Sequence, residues 1–487
     1  MSDSKCTREN ILVRPAEYEE SCFIFDKTRA LYNMTTAQIV SLGVTEVIYP
    51  FGTTYDFYRL NYNHRFNMYP VAIVRAHTVR DIRRTIKYCQ KFGIPIRLRG
   101  GAHAYQPASL MDFGVVLDQR PRQKVRIGRD RVKIEAGALL GPVIDALADH
   151  DLTIPFGTCV TNGVAGLTLG GGIGFLVRLA GLTLDACVGL SVVLANRKVV
   201  KCTRSKHPDL FWALRGAGGG NFGVVTNLTF KPIRIKYVTT FTLTFKFDDL
   251  KTVFKVWQPW SHTTIPQLST ELDIFNRFKP VLVVGQLSPI RSRRQDRVTL
   301  QELLAPLLDL NLHTSFELNT KTLREAAEMY GAGSYARPLF FYNRSDFAFR
   351  RLPDAAIDVI IKHMSLLDQT QDFHKTEIDA LGGNFAHFPP TSFPYRSATQ
   401  WIQYTSLWAT QTEAPANIQW LDDYYRELRP YFPENAKYVN ALDYNQTRSE
   451  ALESYFGPNV PALIEVKRKY DPTDFFNFEQ SVPVAVA

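Results

Sequence analysis

Two glycine-rich segments constrain the fold of this chain more than any other feature. The first, Arg99–Tyr105, closes an apolar run that is typical of a strand, and the second spans Gly157–Gly174. Because glycine lacks a Cβ atom, its backbone N–H groups can approach a diphosphate closely and can adopt positive φ angles. Each segment alone could be a tight turn. Each also carries one nucleophilic side chain, His103 or Cys159, and this favours a cofactor site.

A third segment, Gly218–Gly223, matches the GxGxxG fingerprint of dinucleotide-binding domains. That fingerprint must open a helix, whose N-terminus receives the pyrophosphate. Here Val224–Phe230 follows, and its β-branched, alternating pattern predicts a strand. A nicotinamide-binding Rossmann domain is therefore disfavoured. The chain also lacks HExxH, P-loop and GxSxG motifs, so we expect neither a metal site nor a serine nucleophile of those types.

The distribution of strand and helix patterns along the chain predicts two parts. From about Val71 to Ile235, short strands alternate with brief helices, one of which begins after the cap Thr78 and ends at Gly93. Residues 125–134 read as a hairpin around a polar turn. From about Tyr237 onwards, longer strands and amphipathic helices follow. No linker separates independent domains, and one cofactor part with one sheet-bearing part is the economical interpretation.

Charge and hydropathy limit the partners. The chain of 487 residues has 57 basic and 47 acidic side chains, a net charge of 57 − 47 = +10. These charges are interleaved, and no nucleic-acid-binding signature accompanies them, so we expect no nucleic-acid partner. No apolar run approaches the roughly 18–20 residues of a membrane span. The N-terminus shows no signal peptide, and we expect a cytoplasmic protein without membrane association.

Several further segments, in this order, resemble one family. The chain is similar to flavin-linked oxidases of the vanillyl-alcohol oxidase / p-cresol methylhydroxylase superfamily, in the berberine bridge enzyme-like branch. The segments that carry the resemblance, besides the first two glycine clusters, are His207–Gly223, Leu381–Gly383, Thr391–Arg396, Val466–Pro472 and Phe475–Asn477.

The resemblance implies an α+β fold. A two-part FAD-binding domain of the p-cresol methylhydroxylase type is expected in residues 1–236, with its core at about 66–236. A substrate domain with an antiparallel sheet covered by helices is expected in residues 237–437. Residues 438–487 should return to the FAD domain as the berberine-like C-terminal segment.

The resemblance also implies FAD held by two covalent links. His103 matches the histidine that attaches to the 8α carbon of the isoalloxazine, and Cys159 matches the cysteine that attaches to C6. Both attachments are nucleophilic additions to an electron-poor ring, for which a neutral imidazole and a thiolate are suited. The other residues expected at the cofactor are Arg99, Gly100, Gly101, Ala102, Gly163, Val164, Gly166, Gly170, Gly174, Gly223, Val225 and Asn477.

Hydride removal needs a base near the flavin. By resemblance to carbohydrate oxidases, Asp379 is the expected carboxylate, with Glu377 on the same strand face as a second choice. Tyr438 matches the first tyrosine of a Tyr-x-Asn-Tyr-x-Asp stretch, while Ala441 departs from the second tyrosine. A Tyr438–Asp379 pair is the expected base, and Tyr105 matches an active-site tyrosine in part of the family.

The expected reaction is oxidation of a C–OH group to a carbonyl, followed by reoxidation of FAD with O₂ to give H₂O₂. A sugar or oligosaccharide lactol is the leading substrate, and a monomer or homodimer is expected. Asn162 stands where the family has a small apolar residue that controls oxygen access, so a dehydrogenase is an alternative. Oxidation of an alcohol or amine of a secondary metabolite is another. A third is a basic nucleic-acid- or surface-binding protein with a vestigial flavin fold.

Overall fold

The structure is a computed structural model that describes residues 43–50, 52–331, 340–368 and 374–485. The N-terminal residues on which the expected localisation rests lie outside these ranges. The first sheet contains four strands in the order β1-β2-β4-β3, and all neighbours except β1 and β2 are parallel. Its strands are β1 (Val47–Ile48), β2 (Ala72–Arg75), β3 (Ile96–Arg99) and β4 (Val115–Asp118).

The helix predicted between Thr78 and Gly93 is confirmed, and it connects β2 to β3. The Thr78 side chain accepts a hydrogen bond from the Asp81 backbone, and the Asp81 side chain accepts one from the Thr78 backbone. Gly93 ends the helix with a φ of 64°. This left-handed conformation suits glycine, and parallel strands need such a crossover.

A second sheet holds the predicted hairpin and the strand predicted after Gly223, both of which are confirmed. Five antiparallel strands run in the order β5-β6-β10-β8-β9, and β7 and β11 form a separate ribbon. The strands are β5 (Val125–Ile127), β6 (Val132–Glu135), β7 (Leu152–Thr153), β8 (Cys187–Val193), β9 (Val199–Cys202), β10 (Val224–Phe230) and β11 (Ile233–Arg234).

The third sheet has seven antiparallel strands in the order β15-β12-β14-β13-β17-β18-β16. The expected boundary at residue 237 falls between β11 and its first strand. The strands are β12 (Val238–Phe245), β13 (Leu268–Ile274), β14 (Val281–Leu287), β15 (His313–Lys321), β16 (Phe340–Ala348), β17 (Lys375–Ala380) and β18 (Gln400–Trp408).

The helices surround these sheets, and the α+β expectation is confirmed. Among the described helices, none is both long and apolar enough to cross a bilayer. The helices are α1 (Tyr55–Arg59), α2 (Val79–Phe92), α3 (Leu140–Ala148), α4 (Val164–Gly170), α5 (Val177–Ala180), α6 (Thr183–Ala186), α7 (Pro208–Ala213), α8 (Leu250–Thr263), α9 (Arg293–Leu303), α10 (Ala305–Leu308), α11 (Leu323–Gly331), α12 (Asp354–Ser365), α13 (Ala414–Leu428), α14 (Arg448–Phe456) and α15 (Val460–Tyr470).

Strand alternation divides the large sheet into an apolar face and a polar face. Leu272 of β13, Ile378 of β17 and Ile402 of β18 pack into one core with α8, α12 and α13. Because successive side chains point to opposite faces, the residues between them form the other face. That polar face contributes one wall of the site.

The C-terminal segment packs into the core of the second sheet. Leu463 and Ile464 of α15 lie in one buried cluster with Ile134 of β6 and Leu228 of β10. The chain therefore returns to its first half after the large sheet, which brings residues near 440 beside the glycine-rich segments.

Candidate active site

A cavity of about 270 Å³ opens where the glycine-rich segments, the polar face of the large sheet and the C-terminal segment meet. Five titratable side chains line it together: His103, Tyr105, Cys159, Glu377 and Tyr438. Among the described residues that line it, Glu377 is the one carboxylate, and no lysine or arginine accompanies it. The cavity wall therefore combines two nucleophiles with three groups that can exchange or donate a proton.

The first two glycine clusters touch each other beneath this cavity. A Cβ atom on Gly101 would lie 2.3 Å from the Gly163 backbone nitrogen, and a Cβ on Gly163 would lie 2.3 Å from the Gly101 nitrogen. Real Cβ atoms essentially never approach another atom so closely. The two glycines thus let the two chains cross with their backbones exposed to the cavity.

His103 is held in a fixed, neutral state. Its ring stacks on Tyr62 with centroids 3.8 Å apart, and its Nε2 lies 3.1 Å from Thr161 Oγ1. Burial lowers the pKa of His103 to about 4. Burial raises the pKa of Tyr62 to about 12 and the pKa of Tyr105 well above its usual range, and the nearby Cys159 adds to both shifts. The histidine and the cysteine therefore share one neighbourhood.

Tyr438 reaches the cavity from the C-terminal segment. Its hydroxyl oxygen accepts a hydrogen bond from the Gly172 backbone at 2.7 Å and one from the Asn440 amide at 3.0 Å. Burial raises the pKa of Tyr438 to about 12, although both hydrogen bonds favour the ionised form. The Tyr438 hydroxyl proton is used in neither bond and is available for a ligand.

The sheet contributes a wall of three side chains. Trp401 and Gln403 of β18 line the cavity beside Glu377 of β17. The rings of Trp401 and Tyr438 meet edge to face with centroids 5.3 Å apart. Burial raises the pKa of Tyr105, while a hydrogen bond with Gln403 opposes the rise. An aromatic ring beside hydrogen-bonding groups is typical of a site for a polar ligand.

Asp379 lies behind this wall and does not line the cavity. It is buried, and its Oδ2 has no hydrogen-bond partner. Burial, together with the neighbouring Glu377 and Asp273, raises the pKa of Asp379 well above its usual range, while Lys375 opposes the rise. The structure describes no hydrogen bond between Asp379 and Tyr438, although the charge of Asp379 adds to the burial that raises the pKa of Tyr438.

Comparison with known proteins identifies the families and relatives that this chain resembles. Residues 70–203 match the family described as FAD binding domain, and residues 437–483 match the family described as Berberine and berberine like. The uncharacterized FAD-linked oxidoreductase YgaK of Bacillus subtilis is 34% identical over 437 residues, covering 88% of this chain and 94% of that protein.

The chain belongs to the berberine bridge enzyme-like family.

Solved structures agree with this assignment. Wild-type BBE-like 1 of Physcomitrella patens has a TM-score of 0.83 and 26% identity, covering 93% of this chain and 99% of its own. Glucooligosaccharide oxidase of Acremonium strictum, described with a 6-S-cysteinyl, 8α-N1-histidyl FAD, has a TM-score of 0.83 and 25% identity, with coverages of 93% and 99%. This berberine bridge enzyme-like protein is accordingly an FAD-dependent oxidoreductase.

The residues around the cavity fit FAD. Part of its lining consists of backbone at positions with a small side chain or none, and this leaves room for a large ligand. These positions are Gly100, Gly101, Ala102, Gly163 and Gly166. His103 and Cys159 supply the nucleophiles. Gly101 and Gly163 are needed for this arrangement, because a Cβ atom at either position would collide with the backbone of the other segment.

Two expected cofactor residues of the second glycine cluster pack against other protein atoms. A Cβ on Gly170 would lie 2.1 Å from Asn440 Oδ1, and a Cβ on Gly174 would lie 2.0 Å from the Phe156 carbonyl oxygen. Neither glycine lines the cavity. Gly170 instead makes room for the Asn440 side chain that bonds Tyr438, so this end of the cluster orients the C-terminal segment.

Five other expected cofactor residues also lie outside the cavity wall. Arg99 is buried and pairs with Asp118 at 2.8 Å, and Val164 belongs to the core. Gly223 and Val225 pack at the start of β10. The Asn477 carbonyl accepts a hydrogen bond from Arg97. These residues pack behind the segments that line the cavity.

Sequence reasoning missed several residues of the wall. Gly218–Gly220 line the cavity although they do not open a helix, so the rejected fingerprint contributes backbone to the site after all. Trp401, Gln403 and Phe478 line it as well. Strand alternation could have placed Trp401 and Gln403 on the Glu377 face, because β17 and β18 pair in register at Glu377 and Gln403.

Proposed function

We propose that this protein is an oxidase that carries FAD attached at His103 and Cys159 and converts a C–OH group of its substrate into a carbonyl. The observation that supports this most is that both nucleophiles line one cavity with the Tyr438 hydroxyl and the Glu377 carboxylate. Covalent attachment and proton removal need those groups at one place.

The two nucleophiles are in suitable states for attachment. Because the pKa of His103 is lowered to about 4 by burial, its imidazole is neutral at physiological pH and keeps a lone pair for the flavin 8α carbon. Cys159 is partly exposed, whereas Cys89, Cys187 and Cys202 are buried. Cys159 is therefore the described cysteine that a cofactor in the cavity can reach.

We assign proton removal to Glu377 on the sheet wall of the cavity. FAD, when bound, accepts the hydride that leaves the substrate carbon. Glu377 takes the proton of the substrate hydroxyl, since it is the carboxylate that lines the described cavity. Tyr438 keeps its own proton and donates a hydrogen bond to the substrate oxygen, because its pKa of about 12 leaves it neutral. In this proposal Asp379 lies behind Glu377 and does not form the proton-accepting pair with Tyr438.

The proposed substrate is a sugar or oligosaccharide with a free lactol. Trp401 offers an aromatic surface, and Gln403 and Glu377 offer hydrogen bonds, which together suit a ring with many hydroxyl groups. Similarity to glucooligosaccharide oxidase supports this choice. Asn162 also lines the cavity, and its polar side chain favours a dehydrogenase as the second candidate.

Acid precipitation of the purified protein tests the attachment. Yellow colour that stays with the precipitated wild-type chain supports a covalent link, and loss of that colour only in the His103→Ala/Cys159→Ala double variant supports both links. Cys89→Ala is the control, because Cys89 is a buried free cysteine in another core. Flavin that is released from the wild type by acid refutes the two-link proposal.

A substrate panel tests the reaction. Cello-, malto- and xylo-oligosaccharides, simple alcohols and amines are incubated with the holoenzyme in air, and H₂O₂ is measured. Peroxide from the sugars supports the oxidase. Reduction of an artificial dye by the sugars without peroxide identifies a dehydrogenase, and activity with the alcohols or amines alone refutes the carbohydrate assignment.

A further inference from the structure

A buried charge cluster stands directly behind the Glu377 side of the cavity. The Lys375 ammonium lies 2.7 Å from Glu377, 2.7 Å from Asp273 and 3.1 Å from Glu271. One carboxylate oxygen from each of Glu271, Glu377 and Asp379 lies within 4.8 Å of the other two. Four carboxylates thus surround one ammonium group on the polar face of β13 and β17.

This cluster opposes sheet formation rather than aiding it. Glu271 pairs in register with Asp379, and Asp273 pairs with Glu377, so two like-charged pairs face each other across the same two strands. Like charges directly opposite each other destabilise a sheet, and burial adds a desolvation cost. On the apolar face the same two strands carry Leu272 and Ile378. The packing of the sheet therefore does not explain why the cluster is there, whereas a role in holding Glu377 at the cavity wall would explain it.

We propose that Lys375 is a positioning residue for proton removal, because its ammonium group holds the Glu377 carboxylate at the cavity wall amid three competing carboxylates. This inference rests on the proposed role of Glu377 as the proton acceptor. Lys375 does not line the cavity and acts through Glu377.

The charges around the cluster agree with this role. Asp273, Glu377 and Glu271 raise the pKa of Lys375 well above its usual range, although burial opposes them, so the ammonium persists at every working pH. Burial and the neighbouring carboxylates raise the pKa of Glu271. The other ionisable groups that face the cluster are Tyr105 towards Glu377, Tyr330 towards Glu271 and Tyr438 towards Asp379.

The first test is the pH profile of flavin reduction. The holoenzyme is mixed anaerobically with cellobiose between pH 5 and pH 9, values chosen as about two units either side of neutral. In Lys375→Met the ionised form of Glu377 loses its ammonium partner, so the acid limb of the profile should move up by at least about one pH unit, which is about tenfold in rate on that limb. Lys375→Arg keeps the charge and should restore most of the rate.

Two further variants make the test specific. Asp273→Asn removes a negative charge beside Glu377 and should move the acid limb down. Lys251→Met is the matched control, because Lys251 bonds Asp358 at 2.6 Å on the surface, and it should leave the profile unchanged. A Lys375→Met rate that falls equally at every pH, or an unmoved limb in Asp273→Asn, would overturn the proposal. Should Lys375→Met not accumulate, Asp273→Asn alone decides.

A second readout needs no substrate and separates the inference from the proposed function. Glu271 and Asp379 have raised pKa values, so they contribute stability at low pH that is lost as pH rises through those values. Without the Lys375 charge these pKa values should rise further, so the loss should extend to higher pH. If no sugar of the panel reduces flavin in the wild type, the proposed reaction fails. The inference about Lys375 then depends on whether the unfolding temperature keeps falling to higher pH in Lys375→Met than in Lys375→Arg; identical pH profiles overturn it.

Discussion

Replacement of Tyr438 by phenylalanine removes the one acceptor that the Gly172 backbone N–H has in the described structure. Gly172 is buried, so its donor becomes unsatisfied, which costs about 1–3 kcal/mol. The Asn440 amide loses less, because it also donates to the Leu167 carbonyl at 3.0 Å. We expect the free energy of unfolding of the holoenzyme to fall by about 1–3 kcal/mol.

The matched control for this variant is Tyr404→Phe. Tyr404 is equally buried, yet its hydroxyl has no hydrogen-bond partner. Because deletion of an unsatisfied polar group costs nothing in hydrogen bonding, Tyr404→Phe should be neutral or slightly stabilising. Denaturant unfolding of both variants, followed by protein fluorescence, checks the pair. Equal stability of Tyr438→Phe and wild type, or equal losses in both variants, would refute the proposed contact between the glycine-rich segment and the C-terminal segment.

The same variant has a kinetic consequence. If Tyr438 donates to the substrate oxygen as negative charge develops there, the lost bond is worth about 1.5–3 kcal/mol. The rate of anaerobic flavin reduction should then fall about 10- to 100-fold, while covalent flavin content stays normal because His103 and Cys159 are untouched. An unchanged reduction rate would exclude Tyr438 from the reaction.

Other perturbations should separate the parts of the site. Glu377→Gln should lower flavin reduction by about 10²–10⁴-fold, as expected for loss of a general base, with retained flavin as the control measurement. Gly101→Ala should abolish flavin uptake because its Cβ would lie 2.3 Å from backbone, whereas Gly166→Ala meets nothing within 4 Å and should fold normally; visible spectra distinguish them. In Cys159→Ala, where His103 is the one proposed attachment residue left, incorporation of added FAD into flavin-free protein should be independent of pH above about 6, because the His103 pKa is about 4, and a rise in rate between pH 6 and pH 8 in this variant would contradict a preformed neutral imidazole. Asp346 has a pKa raised by burial from 3.8 to about 6, so up to about 3 kcal/mol of stability should be lost as pH rises through that range; Asp346→Asn should flatten the profile, and an unchanged slope would argue against the shift.

The sequence predicted those parts of the fold that depend on local chemistry. The helix from Val79 to Phe92 could be predicted because its cap Thr78 and its terminating Gly93 are both local signals. The strand after Gly223 could be predicted from alternation, and it correctly argued against a Rossmann domain. Similarity of motifs located His103 and Cys159, which the structure brings to one cavity.

Contacts between distant segments could not be predicted. Gly170 was expected at the cofactor, and its packing against Asn440, a contact across 270 residues, is encoded by no local pattern. Glu377 and Asp379 share one strand face, so alternation alone could not tell which carboxylate reaches the cavity. The neighbouring strand does not decide it either, because Gln403 beside Glu377 and Trp401 beside Asp379 both line the cavity.

The bond between the Gly172 backbone and the Tyr438 hydroxyl can form only after the C-terminal segment has been synthesised. The glycine-rich segments, His103 and Cys159 leave the ribosome long before Tyr438 and helix α15, which packs into the same core. A nascent chain therefore has both proposed attachment residues while one wall of its cofactor chamber is still missing. Release of the finished chain closes that wall, so a chain that terminates early, ahead of residue 437, would expose the cofactor site to solvent however well its first half folds.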